Sequence, residues 1–306
     1  MQAKYRNLSL LCSLVLALVL LLGCSASEQA APEKAEPEPA ATEEAKPEPA
    51  ATEEVSLPTE ESVLDEIRDR GVIRMAVFLR SGSPLERATD SGEPEGYLID
   101  VGHLLAKDLG VEPEFIDLEW QGIIPSLLSG KVDIILAAIS ATPERALAID
   151  FPGAIVFYDV AVLVHKDGKI KTLEDLKQPG VTISVSAGST QHFYAMANFP
   201  DAEILASEGA TEARLEVASK RSDAALTDSH AAIKFSAENP DTVPLRDAEG
   251  NIIVVSREPG SMSIRQGDIR FFRWLQTWQD WYWHQGVFEA LYDKWMGPIF
   301  EGENTQ

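Results

Sequence analysis

The sequence predicts an α/β protein in which two sets of alternating strands and helices enclose a cleft. From residue 72 onward, apolar runs of strand length alternate with segments whose apolar residues recur at helical spacing. The apolar run at 132–139 has the β-branched content of a buried parallel strand. Two other extended apolar runs, at 156–165 and 252–256, join the two sets. We therefore expect two lobes with two extended crossings, and a C-terminal part that rejoins the first lobe.

Each set follows the same alternation. The first is expected to form a helix, strand, helix, strand, helix and strand at residues 62–70, 72–78, 99–109, 114–118, 123–128 and 132–139. Gly71, Gly110 and the pair Ser129 and Gly130 end its three helices. The second set is expected to alternate strand and helix at residues 181–185, 190–198, 203–205, 211–219, 223–227 and 231–236. Long helices follow over 268–295.

The N-terminal residues have the features of an export signal. Lys4 and Arg6 supply positive charge ahead of an apolar segment at 8–22, which is shorter than the roughly 20 residues of a membrane span. The segment ends in LLGC, which resembles a bacterial lipobox, so residues 1–24 are interpreted as a lipoprotein signal peptide with lipid on Cys24. A conventional secretory signal with an incidental cysteine is the alternative. The signal predicts a location outside the cytoplasm, in the periplasm or on the surface of a bacterium.

Residues 25–60 are expected to form an extended tether. The sequence EPEPAATEE at 36–44 recurs as KPEPAATEE at 46–54, and this density of proline and like charge opposes helix, sheet and a packed core. The net charge of −23 argues against nucleic acid as a partner and against direct docking on anionic lipid. Cys12 and Cys24 are the two cysteines, so no disulfide is expected beyond the tether.

Polar residues follow the buried strand at 132–139. Ser140, Thr142 and Arg145 place two hydroxyls and one guanidinium where a strand gives way to a helix. Hydroxyls, free backbone N–H groups and a guanidinium together favour a small carboxylate as ligand. The alternative is an ordinary strand-to-helix joint, in which the polar residues cap the helix and the arginine is solvated.

A series of sequence blocks carries a family resemblance. The blocks are GYLIDV at 96–101, the stretches 120–133 and 137–151, AGST at 187–190, RSDAALTD at 221–228 and YDKWMG at 292–297. From about residue 72 to residue 297 the chain resembles the family 3 solute-binding proteins, the polar amino acid receptors of ABC importers. The resemblance implies a two-lobed periplasmic-binding-protein-like fold of type II, with two hinge crossings and the ligand in the interlobe cleft. It implies a first lobe from residues 61–157 and 255–306 and a second lobe from 158–254.

The resemblance also implies residue roles. Arg145 would pair with the α-carboxylate of an amino acid through both ends of its guanidinium fork, and Ser140 and Thr190 would add donors. Asp228 would accept hydrogen bonds from the α-ammonium group. Ala138 stands where many relatives have a second small hydroxyl, so one side-chain contact would be missing. The alternatives are a surface acid at position 228 and, for Thr190, a residue that only caps a helix or stands first in it.

Three further residues are candidates for contact with the side chain of the ligand. Many relatives have an aromatic residue after the first strand, and Phe78 and Trp120 are the candidates to replace it, although each is also typical of a core. Arg80 in the same loop would face an acidic side chain, which favours an acidic or polar amino acid. A solvated loop arginine is the alternative to that role.

We expect a monomer that delivers an amino acid to an ABC permease complex, without enzymatic activity, metal or cofactor. The five histidines have no spacing typical of metal ligands. Two alternatives remain open. Cyclohexadienyl dehydratases share the fold, the stretch 177–198 resembles theirs, and such an enzyme needs a general acid, for which Glu86 and His230 are candidates. A receptor that reports its ligand to a separate signalling chain would need no change in the predicted site.

Overall fold

The computed structural model describes residues 62–303, and the predicted signal peptide and tether lie outside these residues. The described residues form twelve strands and eight α-helices. The strands are β1 (Val72–Val77), β2 (Arg87–Ala88), β3 (Pro94–Glu95), β4 (Glu112–Asp117), β5 (Ile134–Ser140), β6 (Ile149–Asp150), β7 (Ala154–His165), β8 (Thr182–Ser186), β9 (Glu203–Ser207), β10 (Ala224–Asp228), β11 (Thr242–Pro244) and β12 (Val254–Arg265). The helices are α1 (Val63–Arg70), α2 (Tyr97–Leu109), α3 (Ile123–Leu128), α4 (Thr190–Asn198), α5 (Ala210–Ala218), α6 (Ser229–Glu238), α7 (Ile269–His284) and α8 (Val287–Glu303). None of these helices combines the length and the apolar character that a membrane crossing requires.

One mixed sheet of ten strands forms the centre of the described residues. Its hydrogen-bonded order is β4-β1-β5-β12-β7-β10-β8-β9, with β6 beside β12 and β11 beside β7. At one end β1 runs parallel to β4 and β5, and at the other end β8 runs parallel to β9 and β10. Between them β7 and β12, each of 12 residues, pair with one another in antiparallel fashion. The predicted α/β class with two extended crossings is therefore confirmed.

The second crossing is longer than the sequence predicts. Residues 252–256 are expected to be extended, whereas β12 runs from Val254 to Arg265. Its middle part, 257–260, consists of two charged residues, a proline and a glycine, all of low strand propensity. This part is extended because β12 pairs with β7 on one edge and with β5 on the other. The predicted lobe limits, after residues 157 and 254, fall inside β7 and at the start of β12, and they stay a prediction.

The position of β5 is fixed at its start by Asp133. Its carboxylate is 1% exposed and accepts hydrogen bonds from the backbone N–H of Arg74 at 2.8 Å and from the Arg74 guanidinium at 2.7 Å. The guanidinium of Arg70 donates to the same carboxylate. A buried carboxylate requires such partners, and here they tie β5 to β1. All seven residues of β5 are buried, and the strand carries Ser140 at its other end.

A close approach of three strands lies near that other end. A Cβ atom on Gly260 of β12 would lie 2.7 Å from Cγ1 of Val156 in β7 and 2.9 Å from Cβ of Ala138 in β5. Glycine at position 260 therefore allows the three backbones to approach this closely. Ala138 itself has a φ of 44°, which is uncommon for a residue with a side chain. The close approach brings the end of β5 and the start of β7 together at the middle of β12, beside the cavity described next.

Candidate functional site

A cavity lies at the carboxyl ends of the parallel strands, which is where ligands bind in open α/β sheets. Its walls come from both ends of the sheet: the segments after β1 and β4 and the end of β5 on one side, the start of α4 and the end of β10 on the other. Six of the eight predicted ligand-binding residues line it, namely Phe78, Trp120, Ala138, Ser140, Thr190 and Asp228. Arg145 and Arg80 are not part of its lining.

Ser140 and Thr190 present polar atoms from opposite sides of the cavity. The Ser140 hydroxyl, in a residue 3% exposed, lies 2.9 Å from the phenol oxygen of Tyr158 on β7. Burial raises the pKa of that phenol above its ordinary value, so Tyr158 keeps its proton at neutral pH. Thr190 is the first residue of α4, and Ser189 before it caps the helix by accepting from the N–H of His192 at 3.2 Å. Thr190 is therefore the first helical residue and not the cap, and its hydroxyl donates to the side-chain oxygen of Gln191 at 3.3 Å.

Arg145 lies beside the cavity in a short 3-10 turn after β5. One end of its guanidinium donates to the carbonyl of Ser140 at 3.0 Å, and the other donates to the carbonyl of Gly188 at 3.2 Å. The group lies over the ring of Trp120, 5.7 Å from its centroid. Burial lowers the pKa of Arg145, and within residues 62–303 the guanidinium forms no ion pair with a carboxylate. A half-buried guanidinium whose charge has no anionic partner is suited to receive a carboxylate.

Asp228 ends β10 on the far side of the cavity. Its Oδ1 accepts a hydrogen bond from the side-chain amide of Gln191 at 3.1 Å, and it makes no capping bond to α6. Burial raises the pKa of Asp228 to about 6. The charge of the nearby Arg214 lowers this pKa, and the charge of Glu258 raises it. Asp228 lines the cavity and is therefore not an ordinary surface acid.

Arg80 faces away from the cavity, contrary to the expected contact with an acidic ligand side chain. Its guanidinium lies 2.6 Å from a carboxylate oxygen of Glu119, and the side chains of both residues are more than half exposed. The backbone explains this placement. Residues 79–81 form a 3-10 turn that ends at Gly82 with a left-handed φ of 60°, and this turn sends Ser81 into the cavity wall and Arg80 outward. The solvated loop arginine is the better description.

Glu86 also lines the cavity, although the sequence predicted no contact between it and an amino acid ligand. It is 3% exposed, lines the cavity and accepts the backbone N–H of Phe78 at 2.8 Å. Burial raises the pKa of Glu86 to about 8, and the carboxylates of Asp117 and Asp228 act in the same direction. The sequence singled out Glu86 only as a possible acid for an enzyme, because an acid after Pro84 in a loop carries no signal that it is buried.

Arg214 and His230 connect the two ends of the sheet across the cavity. Arg214, 3% exposed on α5, donates to the carbonyl of Ser81 at 2.6 Å and to the hydroxyl of Thr227 at 3.1 Å. Burial lowers the pKa of Arg214 to about 10, so it remains a cation at neutral pH. Nε2 of His230 lies 2.9 Å from the hydroxyl of Ser83, and burial lowers the pKa of His230 to about 3, which keeps the ring neutral.

The described residues contain no group of three or more acids, histidines or cysteines arranged to hold a metal ion. The cavity lining supplies hydroxyls, the side-chain amide of Gln191 and the carboxyls of Glu86 and Asp228, and the Arg145 guanidinium lies beside it. Such a set recognises a small polar ion through charge-assisted hydrogen bonds.

Comparison with known proteins identifies the family. Residues 76–298 match the bacterial extracellular solute-binding proteins, family 3, and the chain belongs to this family. It is similar to the L-cystine-binding protein TcyJ of Escherichia coli K12, with 24% identity over 240 residues that cover 78% of this chain and 87% of that protein. It is also similar to the cyclohexadienyl dehydratase of Pseudomonas aeruginosa, with 29% identity over 175 residues, 56% of this chain and 65% of the enzyme.

The fold has close counterparts among solved structures. The ancestral amino acid-binding protein AncCDT-1, a precursor of cyclohexadienyl dehydratase, has a TM-score of 0.68 and 35% identity to this chain, and covers 77% of this chain and 100% of its own. The type II periplasmic-binding fold and the predicted family are thus confirmed. Several similar proteins are named as amino-acid-binding proteins, among them the ABC transporter glutamine-binding protein GlnH of Bacillus subtilis.

The raised pKa values of Glu86 and Asp228 predict how stability depends on pH. Each carboxyl has a higher pKa in the folded chain than in the unfolded chain, so at intermediate pH the folded chain keeps a proton that the unfolded chain releases. The stability that each carboxyl contributes is therefore complete below its unfolded pKa. It is lost as the pH rises through about 6 for Asp228 and about 8 for Glu86. Between about pH 6 and pH 8.5, Glu86→Gln should remove most of this loss and raise the midpoint of thermal unfolding at the upper pH by at least about 3 °C.

Thermal unfolding of the purified chain at a series of pH values measures this effect. Glu93→Gln is the matched control, because Glu93 lies nearby in the chain, in the turn between β2 and β3, and is exposed. The control should follow the wild-type profile. Parallel profiles for Glu86→Gln and the wild type would contradict the burial of an unpaired Glu86 carboxyl.

Proposed function

We propose that this protein is an extracytoplasmic receptor that binds a free amino acid by its α-carboxylate and α-ammonium groups and delivers it to an ABC importer. One observation carries the proposal. A single cavity is lined by the Ser140 and Thr190 hydroxyls and by the Asp228 carboxyl, with the Arg145 guanidinium at its edge. Membership of the family supports the transport role.

The carboxylate of the ligand would bind at Arg145. Both ends of this guanidinium donate to backbone carbonyls, at 3.0 and 3.2 Å, and these acceptors are neutral. An α-carboxylate would replace neutral acceptors with a charged one, and charge-assisted bonds to a planar fork are roughly twice as strong as neutral ones. The Ser140 hydroxyl and the free N–H groups at the start of α4 would add donors.

The ammonium group of the ligand would bind at Asp228. Within the described residues this carboxyl has one hydrogen-bond donor, Gln191, and no ion-pair partner. Its raised pKa reflects the cost of burying the charged form. An ammonium group in contact would favour the ionised carboxylate and supply the three donors that a carboxylate can accept. The same binding event would therefore stabilise both charges.

Binding at both ends would also close the protein around the ligand. Arg145 and Ser140 belong to the β1–β5 end of the sheet, while Thr190 and Asp228 belong to the β8–β10 end. The long strands β7 and β12 connect the two ends and provide the hinge. A zwitterion that touches both ends gains contacts only in the closed arrangement, so it shifts the hinge equilibrium by its differential affinity. No covalent step is needed.

A second candidate function is a dehydratase. The similarity to cyclohexadienyl dehydratase and a cavity carboxyl with a raised pKa, Glu86, both favour it, because a general acid works best with a pKa near the operating pH. The transport receptor is the better supported reading, since it accounts for Asp228 and Arg145 as ligand contacts and agrees with the larger group of relatives.

Calorimetric titration of the purified chain with each standard amino acid tests the receptor. One or a few amino acids should bind, and Arg145→Ala and Asp228→Asn should each weaken their binding by at least about 30-fold, because each leaves a charged ligand group without its partner. Arg80→Ala and Asp241→Asn are matched controls, since both residues form ion pairs away from the cavity. Their affinities should match the wild type.

Turnover of prephenate by the same preparation tests the dehydratase. Binding of amino acids without turnover of prephenate is the expected result. Turnover of prephenate with no amino acid bound would replace the receptor with the enzyme.

The membrane anchor is a separate part of the proposal, supported by the sequence at Cys24, which lies outside the described residues. A lipid on Cys24 and the acidic tether after it would hold the binding domain at a distance from the membrane. In a bacterial host the wild-type chain should fractionate with membranes and incorporate labelled fatty acid. Cys24→Ser should incorporate none. Equal labelling of the two forms would contradict the anchor.

A further inference from the structure

We infer that Glu86 selects the side chain of the ligand, and that the group it selects is a cation of the ammonium or guanidinium class. The inference rests on the proposed function, because it concerns the same cavity. It reverses the expectation of an acidic ligand, which depended on Arg80.

The Glu86 carboxyl has one oxygen available to a ligand. Oε2 accepts the N–H of Phe78 at 2.8 Å, whereas Oε1 accepts no hydrogen bond from the described residues. Glu86 lines the cavity while the residue as a whole is 3% exposed. A donor from a bound molecule would therefore reach Oε1 from the cavity.

The surrounding backbone holds Glu86 in place. Its N–H donates to the carbonyl of Ser83 at 3.0 Å, and its carbonyl accepts the hydroxyl of Ser81 at 2.6 Å. A Cβ atom on Gly96 would lie 2.5 Å from the carbonyl oxygen of Leu85 and 2.9 Å from Cα of Glu86, so the start of α2 packs closely on this segment. A carboxyl fixed in this way is preorganised and loses little freedom when it binds.

The charges around Glu86 leave a place for a cation. The carboxylates of Asp117 and Asp228, at the ends of β4 and β10, are close enough to raise the pKa of Glu86 further. Arg214 reaches the same loop but donates to the carbonyl of Ser81, and His230, bonded to Ser83, is neutral. Among residues 62–303, Glu86 has no ion-pair partner. Burying a carboxylate without a cation is costly, and a positively charged ligand group would remove that cost.

The cavity can also accommodate the apolar part of such a side chain. The rings of Phe78 and Trp120 lie with their centroids 5.7 Å apart and both line the cavity. They would cover methylene groups between the α-carbon and the terminal cation. Asp228 and Glu86 would then bind the two positive groups of one ligand, the α-ammonium and the side-chain cation.

Matched pairs of ligands test the selection. Arginine and citrulline have side chains of the same length that differ in charge. Lysine and norleucine also differ in charge, and their side chains are of nearly the same length. By calorimetry, the wild-type chain should bind the cationic member of each pair at least about 10-fold more tightly. Glu86→Gln should weaken binding of the cationic members by at least about 10-fold and change that of the neutral members by less than about 3-fold. Glu93→Gln should leave all four affinities unchanged.

Proton release gives a second readout that does not need a variant. At about pH 7, a cationic side chain would ionise Glu86, so arginine should release up to about one proton more than citrulline, as measured in buffers of different ionisation enthalpy. Asp228 contributes equally to both ligands and cancels in the difference. Should Glu86→Gln fail to fold, this comparison and the Glu86→Asp variant still test the inference.

Each alternative outcome identifies what fails. Amino acids that bind without a preference for the cation, or a preference that survives in Glu86→Gln, would overturn the inference and leave the proposed function standing. No binding of any amino acid would overturn both. Turnover of prephenate that Glu86→Gln abolishes would show that Glu86 is a general acid and not a selector of ligand charge.

Discussion

The antiparallel pairing of β7 with β12 is the constraint on which the cavity depends. These two strands join the parallel sets at either end of the sheet, and they bring the end of β5 beside them through the close approach at Gly260. Ser140 at the end of β5 is bonded to Tyr158 of β7, so one wall of the cavity is built directly on a crossing strand. A change in the angle between the crossings would therefore move the carboxylate side of the site relative to Asp228.

Unpaired charge is the second organising feature. Arg145 and Arg214 donate to carbonyls and hydroxyls, while Glu86 and Asp228 accept from neutral N–H groups. Each of these groups carries part of the cost of burying a charge, which lowers the pKa of the arginines and raises that of the acids. A ligand with charges of both signs would compensate these groups together, which links affinity, closure and specificity to one event.

The elements could be predicted from the sequence because they depend on local pattern, and six of the predicted residues line the cavity. Apolar periodicity locates β5 and the helices, whereas Thr190 and Asp228 were expected at the site because their sequence blocks resemble those of the family. Arg80 lies outside the cavity lining, paired with Glu119, in a turn that ends at Gly82, and local pattern did not predict this placement. The burial of Glu86 could not be predicted because it comes from tertiary contacts, including the packing of Gly96 on its backbone. Most of β12 could not be predicted because its residues have low strand propensity. Pairing with β5 and β7 on its two sides imposes the extended conformation.

The central claim is that the cavity binds a zwitterion by both of its charged ends. The most direct measurement compares the tightest-binding amino acid with two analogues, one without its carboxylate and one without its α-amino group, by calorimetry on the wild-type chain. The account predicts that each analogue loses at least about 100-fold in affinity, because each leaves Arg145 or Asp228 without its charged partner. An analogue that binds as tightly as the amino acid would show that the missing charge is not recognised, and would contradict the account.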